Sequence, residues 1–247
     1  MQTTLLGIAI AIILALVAAL VGPLFVDWGS YRGEFEARAS RLTGLDFRVT
    51  GPIDARVLPT PTIVLQGVEF GRPREIARVR ARALRIEFAL GALLRGEWRI
   101  ADARLEGPEL TAQLDGSGRV SWPVPKHGFD LDGVSIERLE IEDGRAVLAD
   151  GASDARVVLD KLDFKGELRS LAGPVKGAGS FVVGDQRYPY RLSTSHITND
   201  GGMKVRLAVD PDDHSLTAEA DITIWNDAAK PRFDGCLLYT SPSPRDS

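Results

Sequence analysis

The chain is poor in the residues that usually brace or equip a protein. Cys236 is the only cysteine in 247 residues, so no disulfide framework within the chain can staple the fold. Histidine occurs three times, at His127, His196 and His214, too far apart for a metal-ligand spacing. Aromatic residues make up only 7%. No basic stripe is present: Lys and Arg are scattered among Asp and Glu, and the net charge is -4. That distribution excludes the usual electrostatic footprint of a nucleic-acid binder. The most informative absence is local. The first 26 residues carry no charged side chain.

From Leu5 to Val26 the sequence is almost wholly aliphatic, and Asp27 ends the run. A helix of that length rises about 33 Å, enough for a hydrocarbon core about 30 Å thick. The reading is an uncleaved membrane-spanning helix over residues 5–26, after a short tail of residues 1–4. A cleaved signal peptide is the alternative, but it would carry a basic n-region and a shorter apolar core. Arg32, Arg38 and Arg41 follow the run. Taken alone, they would place the C-terminal side in the cytoplasm.

Residues 27–44 read as a juxtamembrane segment with an amphipathic helix over Ser30–Leu42. Tyr31, Phe35, Ala39 and Leu42 fall on one face at helical spacing, Ser30 is placed to cap the start, and Gly44 to end it. That face is expected to pack on protein in preference to lying on the membrane.

Beyond Gly44 the period changes to alternation. Strands are expected at Phe47–Val49, Thr62–Phe70, Val79–Phe88, Trp98–Leu105, Leu110–Leu114, Val134–Ile141 and Ala146–Ala149. Further ones are expected at Ala155–Phe164, Gly177–Val183, Tyr188–Thr194, Met203–Val209 and Leu216–Ile224. Asp115-Gly116, Asp143-Gly144, Asp150-Gly151, Gly184-Asp185 and Asp200-Gly201 supply turns. Ala89–Leu94 interrupts the series as one helical turn. The pattern predicts a mostly antiparallel meander with one apolar face. Cys236 to Ser247 breaks this pattern and resembles translated adapter sequence. Residues 236–247 are therefore expected to be a non-native tail, with the native chain continuing past Gly235.

A weak repeat runs through the strands. Leu65, Val68 and Phe70 share the spacing i, i+3, i+5 with Ile100, Ala103 and Leu105, with Ile136, Leu139 and Ile141, and with Leu159, Leu162 and Phe164. The odd step would carry the apolar residues to the other face unless a bulge absorbs it. A real repeat would imply stacked modules.

A sheet with one apolar face must cover it. One short helix cannot cover so many strands. Either the sheet closes as a sandwich, or it curls into a trough whose inner face meets a ligand. Beside a membrane that ligand would be an acyl chain.

At this point a family resemblance enters. It rests on Asp27-Trp28, Tyr31-Arg32, Phe35 and Leu42-Thr43-Gly44, followed by Val49-Thr50-Gly51-Pro52-Ile53 and Leu58-Pro59-Thr60-Pro61. Val68-Glu69-Phe70-Gly71, Leu90-Gly91-Ala92-Leu93-Leu94-Arg95-Gly96-Glu97 and Ile100–Leu105 with Gly107-Pro108 complete it. In this order the segments resemble the N-terminal region of the AsmA-like family of envelope proteins. The resemblance covers roughly Leu5 to Phe233 and is tightest between Asp27 and Pro108. It implies an inner-membrane, single-pass anchor with the bulk of the chain in the periplasm, against the charge count above. It implies a long grooved β-sheet that passes phospholipid towards the outer membrane, or, in some members, a role in outer-membrane protein assembly.

The expected fold is therefore mainly β: a transmembrane helix, a short amphipathic helix, and an elongated antiparallel meander curled into a taco-like groove over residues 45–235. Leu65, Val68, Phe70, Leu84, Ile86, Phe88, Ile100 and Leu105 are expected to line the groove, with Ile136, Ile141, Phe164, Val205 and Leu207 as further candidates. Ordinary core is the alternative for each. Trp28 and Tyr31 suit the headgroup level. The expected partner is phospholipid, with envelope assembly proteins as the alternative and no nucleic acid. No catalytic, metal or cofactor residue is expected. Asp210-Pro211-Asp212-Asp213-His214 lacks the glycine and distal glutamate of a calcium loop. Gly177-Ala178-Gly179 precedes a strand and not a helix. Ser117, Ser121 and Ser135 lack a nucleophile elbow. An enzyme is not expected.

Overall fold

The computed structural model describes residues 2–22, 27–43, 46–71, 78–97, 99–114, 135–151, 153, 155–168, 173–198, 201–211, 217–225 and 232–240. The expected turn at Asp115-Gly116, Ser117, Ser121, His127, Trp98, Gly44, His214 and most of the Asp210–His214 run lie outside these residues.

Helix α1 spans Gln2–Val21, 20 residues with no charged side chain in its first or last turn, and is about 30 Å long. Leu6, Ile8, Ile10, Ile13, Leu14 and Val17 are all exposed, so the described side chains of α1 are not packed on the rest of the protein. Among the described residues no helix is long and apolar enough to cross a membrane. The expected spanning helix over residues 5–26 is therefore not found among the described residues, and residues 23–26 lie outside them.

A 3-10 turn (Trp28–Tyr31) leads into α2 (Arg32–Thr43). The cap is one stage earlier than expected. Asp27, not Ser30, caps the 3-10 turn, its Oδ1 accepting from Gly29 N at 3.0 Å. Glu34 sits in the first turn of α2 and Arg41 in the last, the polarity a helix dipole favours.

The strands are β1 (Phe47–Val49), β2 (Ile53–Arg56), β3 (Thr62–Phe70), β4 (Arg78–Phe88), β5 (Arg99–Glu106), β6 (Glu109–Leu114) and β7 (Ser135–Asp150). Then come β8 (Arg156–Leu168), β9 (Val175–Val183), β10 (Gln186–Thr194), β11 (Gly202–Val209), β12 (Thr217–Trp225) and β13 (Arg232–Thr240). The helical turn α3 (Leu90–Leu93) joins β4 to β5. All thirteen strands form one sheet, ordered β1-β3-β4-β5-β7-β8-β9-β10-β11-β12-β13. β2 shares an edge of β3 with β1, and β6 continues the line of β5 between β4 and β7.

The structure corrects the expected meander in three places. The sheet is mixed, not antiparallel throughout, because β5 and β6 both pair in parallel with β7. Asp143-Gly144 is not a turn. Asp143 takes a left-handed φ of 53° inside the 16-residue β7, where the register shifts against β8. A short Asp tolerates that conformation, so the dipeptide supplies a bulge without reversing the chain. Finally, the meander does not stop at Ile224: a further strand over residues 232–240, which runs across the Gly235–Cys236 boundary of the expected tail, pairs with β12 over its full length. Ser135 begins β7, and Gly177-Ala178-Gly179 falls inside β9.

Several interruptions lie along one line across the strands. Gly67, φ 62°, faces the Thr50-Gly51 break between β1 and β2. Gly107, φ 54°, breaks β5 from β6 just before Pro108. Asp143 follows on β7, and Lys161, φ 48°, on β8 at a further register shift. Gly67 and Lys161 fall within the odd steps Leu65–Val68 and Leu159–Leu162, where the repeat demanded a bulge; Gly107 and Asp143 lie beyond the odd steps of their copies. Leu65 and Val68, three apart, both belong to one core cluster, and Gly67 lies between them. Ile100, Ala103 and Leu105 pair with Phe88, Ile86 and Leu84, the extra residue being absorbed beside Glu87 and Phe88. Ile136, Leu139 and Ile141 then match Ile100, Ala103 and Leu105 residue for residue. The fourth copy aligns only through Phe164, opposite Ile141. The copies are thus neighbours in one sheet and not stacked modules.

Candidate functional site: an apolar sheet face

Residues directly opposite on paired strands share a face. One row therefore runs Leu65, Leu84, Leu105, Ile141, Phe164, Gly179, Tyr190, Val209, Ala218. The next row on the same face runs Ile63, Ile86, Ala103, Leu139, Gly166, Gly177, Leu192, Leu207, Ala220. Phe88, Ile100, Ile136, Leu168 and Val175 make a third, and Thr194, Val205 and Ile222 stand beside it. Charge is nearly absent from all three.

The opposite face reads Val64, Arg85, Arg104, Glu140, Lys165, Ala178, Arg191, Ala208, Glu219 across the same strands. Glu140 is buried between cations. Its Oε2 lies 2.8 Å from Arg104 Nη2, a charge contact not aligned as a hydrogen bond. Its Oε1 accepts from Lys165 Nζ at 3.2 Å. Arg138 reaches Asp102 at 2.9 Å and Arg206 reaches Asp221 at 2.9 Å. The sheet thus separates hydrocarbon from charge across its thickness.

One corner of the apolar face is closed. Phe47, Val49, Ile53, Leu65 and Val68 form a buried cluster, against which Trp28, Phe35, Ala39 and Phe70 pack. Val68 has no exposed surface, and Phe47 and Phe70 meet edge-on with ring centroids 5.0 Å apart. Leu65, Val68 and Phe70 are therefore core beneath α2. Phe35 and Ala39 pack as their spacing predicted. Tyr31 does not, being 50% exposed, and Trp28 is half-buried in the same cluster with its ring 6.3 Å from that of Tyr31. The side chain of Leu42 lies outside the described residues.

Away from that corner the face is half-open. Leu84 borders the corner and packs against its cluster, while Ile86, Phe88, Ile100, Leu105, Ile136, Ile141, Val205 and Leu207 are all half-buried, the burial that neighbours on one sheet face provide. A facing second sheet would bury them further. Phe164 is buried, and with it the small Ala103 and Ala220. Apart from strand neighbours, the substantial contacts between elements are those of α2 and the 3-10 turn with each other and with β1 and β2.

Glycines shape the middle of the face. A Cβ on Gly177 would stand 2.5 Å from Phe164 Cζ, and one on Gly166 would stand 2.8 Å from it. The ring therefore lies flat in the space those residues leave. Tyr190 stacks against it at 6.4 Å, and Phe181 follows, 5.7 Å from Tyr190. The Tyr190 hydroxyl donates to the Asp163 carbonyl at 3.1 Å. Burial, assisted by the Asp163 carboxylate, pushes that phenol up to about 12. This aromatic group escaped the sequence reading for Tyr190 and Phe181. The signal was available in the alternation of Tyr188, Tyr190 and Leu192 against the glycines at 177 and 179.

A cavity of about 600 Å³ lies elsewhere, beside the line of bulges. Its walls are charged, including Arg82, Asp143, Arg145, Asp160, Lys161 and Asp185, and none of the predicted groove residues contributes to it. Two ion pairs, Arg82–Asp143 at 2.9 Å and Arg145–Asp160 at 3.2 Å, hold it. It is a separate polar feature and not the apolar site. Among the described residues no group of three or more His, Cys, Asp or Glu is placed to hold a metal ion.

Comparison with known proteins gives one finding. The model of the AsmA family matches residues 2–128, from the start of α1 through β6. No curated protein and no solved structure matches the chain.

Proposed function

Because the chain belongs to the AsmA family, we propose that it is an inner-membrane-anchored periplasmic protein of envelope biogenesis whose apolar sheet face forms a groove for phospholipid acyl chains. The observation that carries this reading is the continuous, half-open apolar face from β4 to β12, with charge confined to the other side. Acyl chains on that face would be shielded from water at about 25 cal/mol per Å² covered, while headgroups stay outside. Such transfer needs a surface and no bond-making step, so no catalytic residue is assigned. In this reading α1 is the anchor. Its described side chains are apolar all round and exposed, and a helix of that kind belongs in a core or a bilayer.

Ile86, Phe88, Ile100, Leu105, Ile136, Ile141, Phe164, Val205 and Leu207 keep the groove assignment, with Leu84 at the border of the closed corner. A photoreactive residue at Phe88, with Glu87 as its control, tests it in cells. The two are adjacent, yet Phe88 pairs with Ile100 and Glu87 with Asp102 on the other face. Crosslinks to phospholipid at 88 and not at 87 are expected. Crosslinks at 88 only within the chain would mean a closed core.

A second reading has its own observation. Strand β13 pairs with β12 alone among the described strands, leaving an edge that could add a strand from an envelope protein. Lipid-free capture of a partner through that edge, lost when a proline is placed in β13, would favour an assembly factor.

A further inference from the structure

We infer that the tip of the β4–β5 hairpin is a second membrane contact, resting on the bilayer surface beside the anchor helix; this rests on the anchor reading of α1. Hydrogen bonds fix the direction of α2 against the sheet. Phe47 N donates to Ser40 Oγ at 2.9 Å, Val49 N donates to Glu36 Oε1 at 2.8 Å, and Arg32 Nη2 donates to the Gly51 carbonyl at 2.9 Å. As the strand residues ascend, the helix residues descend, so α2 runs antiparallel to β1. Its N-terminus and the Trp28–Tyr31 turn lie towards β2. At its far end β2 pairs Arg56 with Thr62, which in turn faces Glu87. The chain leading back to α1 thus leaves from the end of the sheet where β4 passes into α3.

Three large apolar side chains stand in water at that end. Val57 is 42% exposed, Leu90 36% and Leu94 80%. Leu90 and Leu94 are four apart on a helical turn and share a face, while Ala92 between them is buried. The small residue points in and the large ones out, the reverse of what a turn does when water is its only neighbour. Arg56 is exposed at the same end, where lipid phosphates would attract it; Arg95 and Arg99 are exposed there too, but each already faces a carboxylate, Glu97 at 3.1 Å and Glu137 at 3.6 Å. The turns at the opposite end, Asp150-Gly151 and Gly184-Asp185, present carboxylates and glycine, with Val157 and Val183 exposed beside them at 48% and 36%, well short of Leu94. An apolar tip at the end of the sheet from which the chain leads back towards α1 fits a lipid surface.

The test uses the full chain in vesicles of phosphatidylethanolamine and phosphatidylglycerol carrying a doxyl-labelled lipid. Cys236→Ser removes the chain's single thiol, and an environment-sensitive fluorophore is attached at Leu94→Cys, at Asp185→Cys or at Ile8→Cys in separate samples. Quenching at 94 comparable to that at 8, with none at 185, is the expected result. Quenching at 8 with none at 94 overturns the tip contact and leaves the anchor standing. No quenching at 8 overturns the anchor, and the inference with it. Leu94 is so exposed that its replacement leaves the fold intact, so a silent probe there reads position and not misfolding.

Discussion

Replacing Phe164 by alanine tests whether the aromatic ring is seated on the sheet by its glycines. Full removal of a buried phenylalanine costs about 3–5 kcal/mol where a closed cavity remains. Here the face is half-open, so solvent can fill the vacated space and the cavity term falls away. The transfer term alone is about 2–3 kcal/mol. With a urea dependence of about 2 kcal/mol per M, the midpoint should fall by about 1 M. Gly177→Ala perturbs the same place from the other side. Its Cβ would lie 2.5 Å from Phe164 Cζ and 2.5 Å from the Lys165 carbonyl oxygen. In the native background both clashes act, and overpacking of this kind costs about 1–3 kcal/mol. In the Phe164→Ala background only the backbone clash remains. The two substitutions should therefore couple, the second costing about 1 kcal/mol less than the first alone implies. Urea unfolding of the detergent-solubilised chain, followed by circular dichroism, measures all four corners of the cycle. Equal cost of Gly177→Ala in both backgrounds would refute the seating of the ring.

Two other predictions concern the same strands. Tyr190, raised from its ordinary value to about 12, should give a late step in ultraviolet absorbance at 295 nm that Tyr190→Phe abolishes. Because the folded phenol holds its proton where the unfolded one loses it, its contribution to stability is complete below pH 10 and is lost as pH rises to about 12; Tyr190→Phe should remove that part of the alkaline slope. Lys161, at φ 48°, occupies a conformation that costs a side chain about 1–2 kcal/mol. Lys161→Gly should raise the urea midpoint slightly and Lys161→Val should lower it, and a gain from valine would contradict the left-handed assignment.

Much of the fold was legible because alternation is a strong signal. The Gly184-Asp185 hairpin, the helical turn at α3 and the apolar face of β4 all follow from side-chain period alone. Partner direction is another matter, since alternation is the same for parallel and antiparallel neighbours. Yet the sequence held a clue. Ile100, Ala103, Leu105 and Ile136, Leu139, Ile141 have their odd step in the same chain direction, and two strands bulged alike match residue for residue only when parallel. β2 was hidden for a different reason. Gly51-Pro52 reads as a turn, whereas here it only interrupts a line of pairing along β3.

The candidate face was less legible than the strands. The first three predicted residues, Leu65, Val68 and Phe70, lie under α2 because the helix caps the corner where β1 and β2 meet β3. Nothing in the period of β3 distinguishes a residue beneath a helix from one on an open face. The register does so, and register is set by bulges that local pattern cannot position.

The line of interruptions through Gly67, Gly107, Asp143 and Lys161 has a mechanical meaning. Ladder hydrogen bonds resist bending wherever they are continuous, and along this line they are repeatedly broken or offset. From β3 to β8 the sheet should behave like scored card, rigid on either side of the score and compliant across it, while β9 to β13 pair without a break. A load applied at the two ends of the strands would then be taken up as a change of dihedral angle between two stiff panels, and the apolar side would widen or narrow as a unit without any strand having to unpair.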